Sequence, residues 1–168
     1  MNAPVYNVLF LCTGNSARSI LAEALLNVLG RGRFRAYSAG SHPVGRVQPP
    51  AIELARELGY DIAQLRSKSW DEFAAPDAPR MDFILTVCDS AAGEACPLWP
   101  GHPATAHWGV PDPAAVQGDE AMRRAAYRQT LLELHRRIEL LIALPDAKLR
   151  GLEARANLEA IAQAAASA

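Results

Sequence analysis

The sequence predicts an α/β fold built on a parallel, doubly wound sheet, and three observations carry that prediction. Apolar, β-rich runs alternate with helix-like runs along the chain. The first of these strands passes into the first helix through one short polar loop, Cys12-Thr13-Gly14-Asn15-Ser16-Ala17. Finally, Cys12 and Cys88 each fall at the carboxyl end of a strand candidate, the edge where such sheets bind their ligands.

The elements follow in order. Residues 7–11, apolar from Val8 to Leu11, read as a buried strand. Residues 18–29 have the apolar spacing and Ala/Leu/Glu content of a helix. Residues 35–38 form a short strand that ends at Ala39-Gly40. A loop with His42, Pro43, Gly45 and Pro49-Pro50 follows. Residues 51–58 are a helix, with prolines at its start and Gly59 just past its end. Residues 69–73 suit a short capped helix. Residues 81–87 are the most β-like run, and 105–108 a short fourth strand. Residues 119–144 form a long amphipathic helix with Leu131, Leu134, Ile138, Leu141 and Ile142 on one face. Its Arg123-Arg124 and Arg136-Arg137 pairs read as the wet face. This reading gives one domain over 1–145. The Ala-rich remainder, 146–168, is a helical or partly disordered extension.

Composition narrows the function. The 168 residues are long enough to bury one core, and half of them are apolar. A net charge of −1 leaves no electrostatic footprint for nucleic acid or an anionic membrane. No apolar stretch approaches a bilayer span, and the N-terminus lacks signal-peptide character. A cytoplasmic monomer is expected. Three cysteines are an odd count and too few for a disulfide scaffold.

The chemistry concentrates in the first loop. A cysteine at a strand end, an arginine six positions later and a helix N-terminus between them bind a tetrahedral oxyanion. Loop amides of Thr13, Gly14, Asn15, Ser16 and Ala17 converge on it, and Arg18 adds a planar fork of donors. The same field favours a nucleophilic Cys12 thiolate near neutral pH. The loop lacks the Gly-Lys-Ser/Thr ending of a nucleotide-binding loop. Asp112-Pro113 either starts a turn or supplies the proton that a departing oxygen needs. Cys88 and Cys96 are either small buried hydrophobes or a relay that resolves an intermediate on Cys12 through thiol exchange. His107 is a core or loop-anchoring histidine. His42 and His102 lack ligand spacing to the cysteines, so no metal site is assigned. Trp70, Trp99 and Trp108 are packing residues, with flanking of the cysteine relay as the alternative for Trp99.

Taken together, Cys12-Thr13-Gly14-Asn15-Ser16-x-Arg18-Ser19, the Cys88/Cys96 pair and His107-Trp108-Gly109-x-x-Asp112-Pro113 resemble arsenate reductases of the low-molecular-weight tyrosine phosphatase fold. Tyr37-Ser38-Ala39-Gly40, Ala51-Ile52 and Tyr60-Asp61-Ile62 fit the same family. The resemblance covers residues ~5 to ~144. It implies a three-layer α/β/α fold around a four-stranded parallel sheet. It also implies that Cys12 attacks arsenate, Arg18 stabilises the anion and Asp112 protonates the leaving oxygen. Cys88 would then displace arsenite, leaving a Cys12–Cys88 disulfide that Cys96 accepts. Ser19 would stabilise the Cys12 thiolate, and Asn15 would hold the loop in shape. No tightly bound cofactor is implied. Thioredoxin, or glutathione with glutaredoxin, would be the external reductant.

Three departures qualify the resemblance. Ala17 stands where many members of the wider fold have a second loop cysteine. The 88-to-96 segment is one residue longer than in thioredoxin-coupled members. Some of these relatives hold potassium beside the loop with counterparts of Asn15, Glu23 and Ser38 and an acidic residue near position 68, where this chain has Lys68. Its ammonium can take the cation's place opposite Glu23, or it can be a solvated surface lysine. The rival activity is phosphomonoester hydrolysis through a phosphocysteine on Cys12. It needs no relay, and phosphatases of this fold commonly carry aromatic residues where Ala114-Ala115 stand. A non-enzymatic oxyanion sensor would need neither the acid nor the extra thiols.

Overall fold

A computed structural model describes residues 4–88, 103–150 and 154–166. Its four strands are β1 (Tyr6–Cys12), β2 (Phe34–Gly40), β3 (Phe83–Thr86) and β4 (Ala104–His107), paired in parallel in the order β2-β1-β3-β4. The helices are α1 (Arg18–Leu29), α2 (Pro49–Glu57), α3 (Asp71–Ala74), α4 (Glu120–Ile142), α5 (Asp146–Leu149) and α6 (Ala154–Ala166). The parallel sheet flanked by helices agrees with the expected α/β/α architecture.

Both faces of β1 are covered, which explains its unbroken apolar run. Val8, Phe10 and Cys12 join the larger core with α1, α4 and α6. Leu9 and Leu11 join a smaller cluster with Phe73, Met81 and Ile84 on the other face. α1 is buried from Ser19 to Leu26, wedged between sheet and helices. The free edge of β2 is closed by a side chain. The Asn27 carboxamide accepts the Ala36 N–H at 2.8 Å and donates to the Ala36 carbonyl at 3.0 Å, mimicking a fifth strand where open edges invite mispairing.

Several boundaries differ from expectation. β1 and β2 are longer, because their pairing runs in register to Cys12↔Gly40. The helix expected at 69–73 begins at Asp71, since Ser69 bridges Gly40 as a strand residue; its hydroxyl still accepts the Asp71 N–H at 3.1 Å. Arg137 is not on a wet face. It lies only 7% exposed between Leu134 and Leu141 on the buried side of α4, while Leu131 and Ile142 are partly buried. At the C-terminus, Ala154, Leu158 and Ile161 recur at helical spacing and are buried in the main core. Among the described residues, no helix is long and apolar enough to cross a membrane.

Candidate active site

Cys12 ends β1 at the sheet's carboxyl edge, and residues 13–17 turn the chain into α1. Asn15 makes the turn with φ +48°, a left-handed conformation that asparagine tolerates better than most residues. The loop's carbonyls are tied outward. Thr13 O accepts His42 N–H, Gly14 O accepts Val44 N–H, and Ser16 O accepts Gln48 N–H, at 2.9–3.1 Å. In a trans peptide the next residue's N–H points the opposite way. The amides of Gly14, Asn15 and Ala17 are therefore turned to the inner side, where Asn15 N–H donates to Cys12 Sγ at 3.2 Å. Ala17 offers α1 no side-chain cap and its first turn carries no acid, so the helix's positive end is left for an anion.

Cys12 is 3% exposed and its Sγ lies 2.9 Å from Ser19 Oγ. Burial pushes the Cys12 thiol up from its ordinary range. The Ser19 contact and the Asn15 amide pull it down, and the Cys88 sulfur adds a smaller push upward. The expected low-pKa thiol is thus opposed by desolvation, and ionisation depends on the loop's donors. Ser19 in turn receives Asn15 Nδ2–H at 2.8 Å, which leaves its own proton for the sulfur.

Arg18 and Asp112 are brought together across 94 residues: Arg18 Nη2 stands 3.7 Å from Asp112 Oδ2, and Arg18 Nη1 donates to Val110 O at 3.2 Å. Asp112 Oδ1 accepts the Ala114 N–H at 2.9 Å, capping the short turn Pro113–Ala115. So Asp112 is both a turn starter and a carboxyl group beside the oxyanion loop. The two sequence readings coexist.

Cys88 follows β3, next to β1, and its sulfur accepts Thr13 N–H at 3.3 Å. Cys12 and Cys88 are both free and buried. Cys96, Trp99 and His102 lie outside the described residues.

Beneath the loop, the four residues considered for a cation site do meet. Lys68 Nζ lies 3.8 Å from Glu23 Oε1, donates to Arg66 O at 2.9 Å and reaches Ser38 Oγ at 3.4 Å. Ser38 donates to Glu23 Oε1 at 2.7 Å, and Asn15 Oδ1 accepts the Lys68 backbone N–H at 2.9 Å. Lys68 is buried, which removes the solvated-lysine reading. Burial pushes the Glu23 carboxyl up and the Lys68 ammonium down, while their mutual attraction opposes both shifts. The donors on Glu23 and the carbonyl on Lys68 suit the charged forms.

Three supporting residues were given no role in the site by the sequence. Tyr60 donates to Glu23 Oε2 at 2.9 Å, and Ser67 donates to Gly14 O at 3.1 Å. Gly40 leaves room for the loop: a Cβ there would collide with the Thr13 carbonyl oxygen and crowd Asn15. A glycine closing a strand next to the loop's own strand was the available signal. His107 is exposed and pairs with Thr86 Oγ1 at 2.7 Å, an anchoring role. No cluster of three metal-ligating side chains occurs among the described residues.

Residues 7–152 match the family described as low molecular weight phosphotyrosine protein phosphatase. The chain is 35% identical over 132 residues to an arsenate reductase of Halalkalibacterium halodurans, covering 79% of this chain and 91% of that one. The crystal structure of arsenate reductase from Archaeoglobus fulgidus matches with TM-score 0.63 and 31% identity, over 82% of this chain and 99% of that chain. A low molecular weight protein tyrosine phosphatase from T. tengcongensis matches with TM-score 0.65 and 28% identity, over 82% and 97%. The chain belongs to the low molecular weight phosphotyrosine protein phosphatase family.

Proposed function

We propose that this member of the phosphatase family is an arsenate reductase, working through a Cys12 adduct and a thiol relay. The observation that carries the reading is Cys88: a second buried thiol against Thr13, just past the end of the strand that pairs with the nucleophile's own. Hydrolysis has no step for it.

Arsenate would sit among the inward loop amides with the Arg18 fork against its oxygens. The Cys12 thiolate attacks arsenic, so an S–As bond forms and one As–O bond breaks. Asp112 supplies the proton with which that oxygen leaves as water. The Cys88 thiolate then attacks Cys12 Sγ. A Cys12–Cys88 disulfide forms, and the S–As electron pair stays on arsenic, which departs as arsenite. The two thiols lose the two electrons that arsenic gains. Cys96 next attacks Cys88, freeing Cys12, and the Cys88–Cys96 disulfide passes to an external dithiol of thioredoxin type or to glutathione with glutaredoxin. In this reading Ser19 stabilises the thiolate, Asn15 shapes the loop, and Lys68 serves as an internal cation for Glu23.

The phosphatase reading is favoured by the Cys12, Arg18 and Asp112 geometry and by the equally similar phosphatase structure. Against it, exposed Ala114 and Ala115 follow the acid and offer a substrate ring no aromatic platform. Reduced protein, arsenate and NADPH, with thioredoxin and its reductase in one arm and glutathione with glutaredoxin in the other, separate the two. Arsenate-dependent NADPH oxidation in either arm supports reduction. Oxidation in neither, with rapid aryl phosphate hydrolysis, makes the protein a phosphatase.

A further inference from the structure

We propose that Arg137 and helix α6 are positioning elements for Asp112, so that the segment after the family-matched region belongs to the catalytic unit. The proposal rests on Asp112 being the proton donor.

Three consecutive residues ahead of Asp112 are each held by a different helix. Trp108 is fully buried, and its indole N–H donates to the Leu158 carbonyl of α6 at 3.0 Å. Arg137 of α4 donates from Nη2 to Gly109 O at 3.4 Å. Arg18 of α1 holds Val110 O. The same stretch is tied to β3 and its end by Trp108 N–H to Thr86 O at 2.7 Å and Val110 N–H to Val87 O at 3.1 Å. Asp112 follows two residues later, between Pro111 and Pro113. Those prolines fix their own φ and restrict the residues before them, so little backbone freedom separates the anchored stretch from the carboxyl group. Where residues 108–110 sit therefore sets where the proton is held.

Two further facts set this apart from ordinary packing. Arg137 is a buried arginine whose Nε has no hydrogen-bond partner among the described residues. Keeping such a group inside is unfavourable by itself, and burial also pushes its pKa down. Among the described residues its guanidinium donates to the carbonyls of Glu133, one turn back on α4, and Gly109. And α6, described over Ala154–Ala166, lies beyond the family match that ends at 152, yet its Leu158 carbonyl accepts the Trp108 indole N–H.

A double-mutant cycle tests the proposal, read as the single-turnover rate of arsenite formation by reduced protein at saturating arsenate, before any external reductant is added. Trp108→Phe keeps ring bulk and removes the N–H; Arg137→Met removes the Gly109 contact. Each is expected to slow the rate roughly tenfold, the scale of a small misplacement of a reacting group. Neither should change Cys12 alkylation or the thermal midpoint enough to unfold the chain. In the Asp112→Asn background both should have no further effect, and Arg137→Lys should restore part of the rate. Equal slowing in both backgrounds, or no slowing while Asp112→Asn is crippled, overturns the proposal alone. A native rate in Asp112→Asn removes the acid assignment and the proposal with it.

Discussion

Asn15 and Lys68 meet across 53 residues: the Asn15 carboxamide oxygen accepts the Lys68 backbone N–H at 2.9 Å. The same carboxamide donates to Ser19, whose hydroxyl touches the Cys12 sulfur. One side chain thus joins the buried Glu23–Lys68 pair to the nucleophile, and it does so from the left-handed turn that shapes the loop.

Ser19→Ala breaks that chain at the sulfur. Burial already raises the Cys12 thiol, and Ser19 is the largest influence opposing it. Losing one hydrogen bond to the charged form, about 1.5 kcal/mol, corresponds to about one pH unit. The pH profile of Cys12 alkylation should move up by that much, with slower turnover at neutral pH. An unmoved profile would show that the loop amides alone hold the thiolate.

Cys88→Ser separates reduction from displacement. Arsenate turnover should stop, because no thiol then resolves the Cys12 adduct, while any hydrolysis of aryl phosphate persists. Full arsenate turnover in this variant would sink the relay.

Lys68→Met leaves Glu23 buried without its cation. Removing one partner of a buried pair costs about 3–5 kcal/mol. Glu23 already has its pKa raised by burial, and without Lys68 it rises further. A carboxyl group raised on folding has its greatest stability below its unfolded value and loses it as pH climbs through the folded one. The destabilisation should therefore be larger at about pH 8 than at about pH 5, measured as denaturation midpoints. In the native chain, turnover should be equal in potassium and sodium salts. A strong potassium-specific rise would mean that Lys68 does not stand in for the cation.

Gly40→Ala tests the close approach under the loop. The added methyl must displace Thr13 or Asn15, an overpacking of about 1–3 kcal/mol. Phosphate should then raise the thermal midpoint less than it does in the native chain. An undiminished phosphate shift would show that the loop absorbs the methyl without losing its geometry.

Much of the fold was legible because its signals are local. Strand and helix periods and the prolines that open α2 lie within a few residues of what they specify. The oxyanion loop was legible for the same reason, since its strand, turn and helix are contiguous. Arg137 was misread although the clue was present: it sits three residues after Leu134 and four before Leu141, on the face both bury.

By itself the sequence determined the chemistry that Cys12, Arg18 and their loop can offer, because backbone amides, helix end and side chains there belong to one short segment. Only the tertiary structure decided that Lys68 is buried against Glu23, that Gly40 must be bare beneath Thr13, and that Trp108 and Arg137 hold the stretch before Asp112. Those partners are separated by 27 to 50 residues, and they meet because packed faces of the sheet and its helices bring them together. The local pattern of a chain records which face an element will bury, and the partner waiting on that face is set by the packing of the whole molecule.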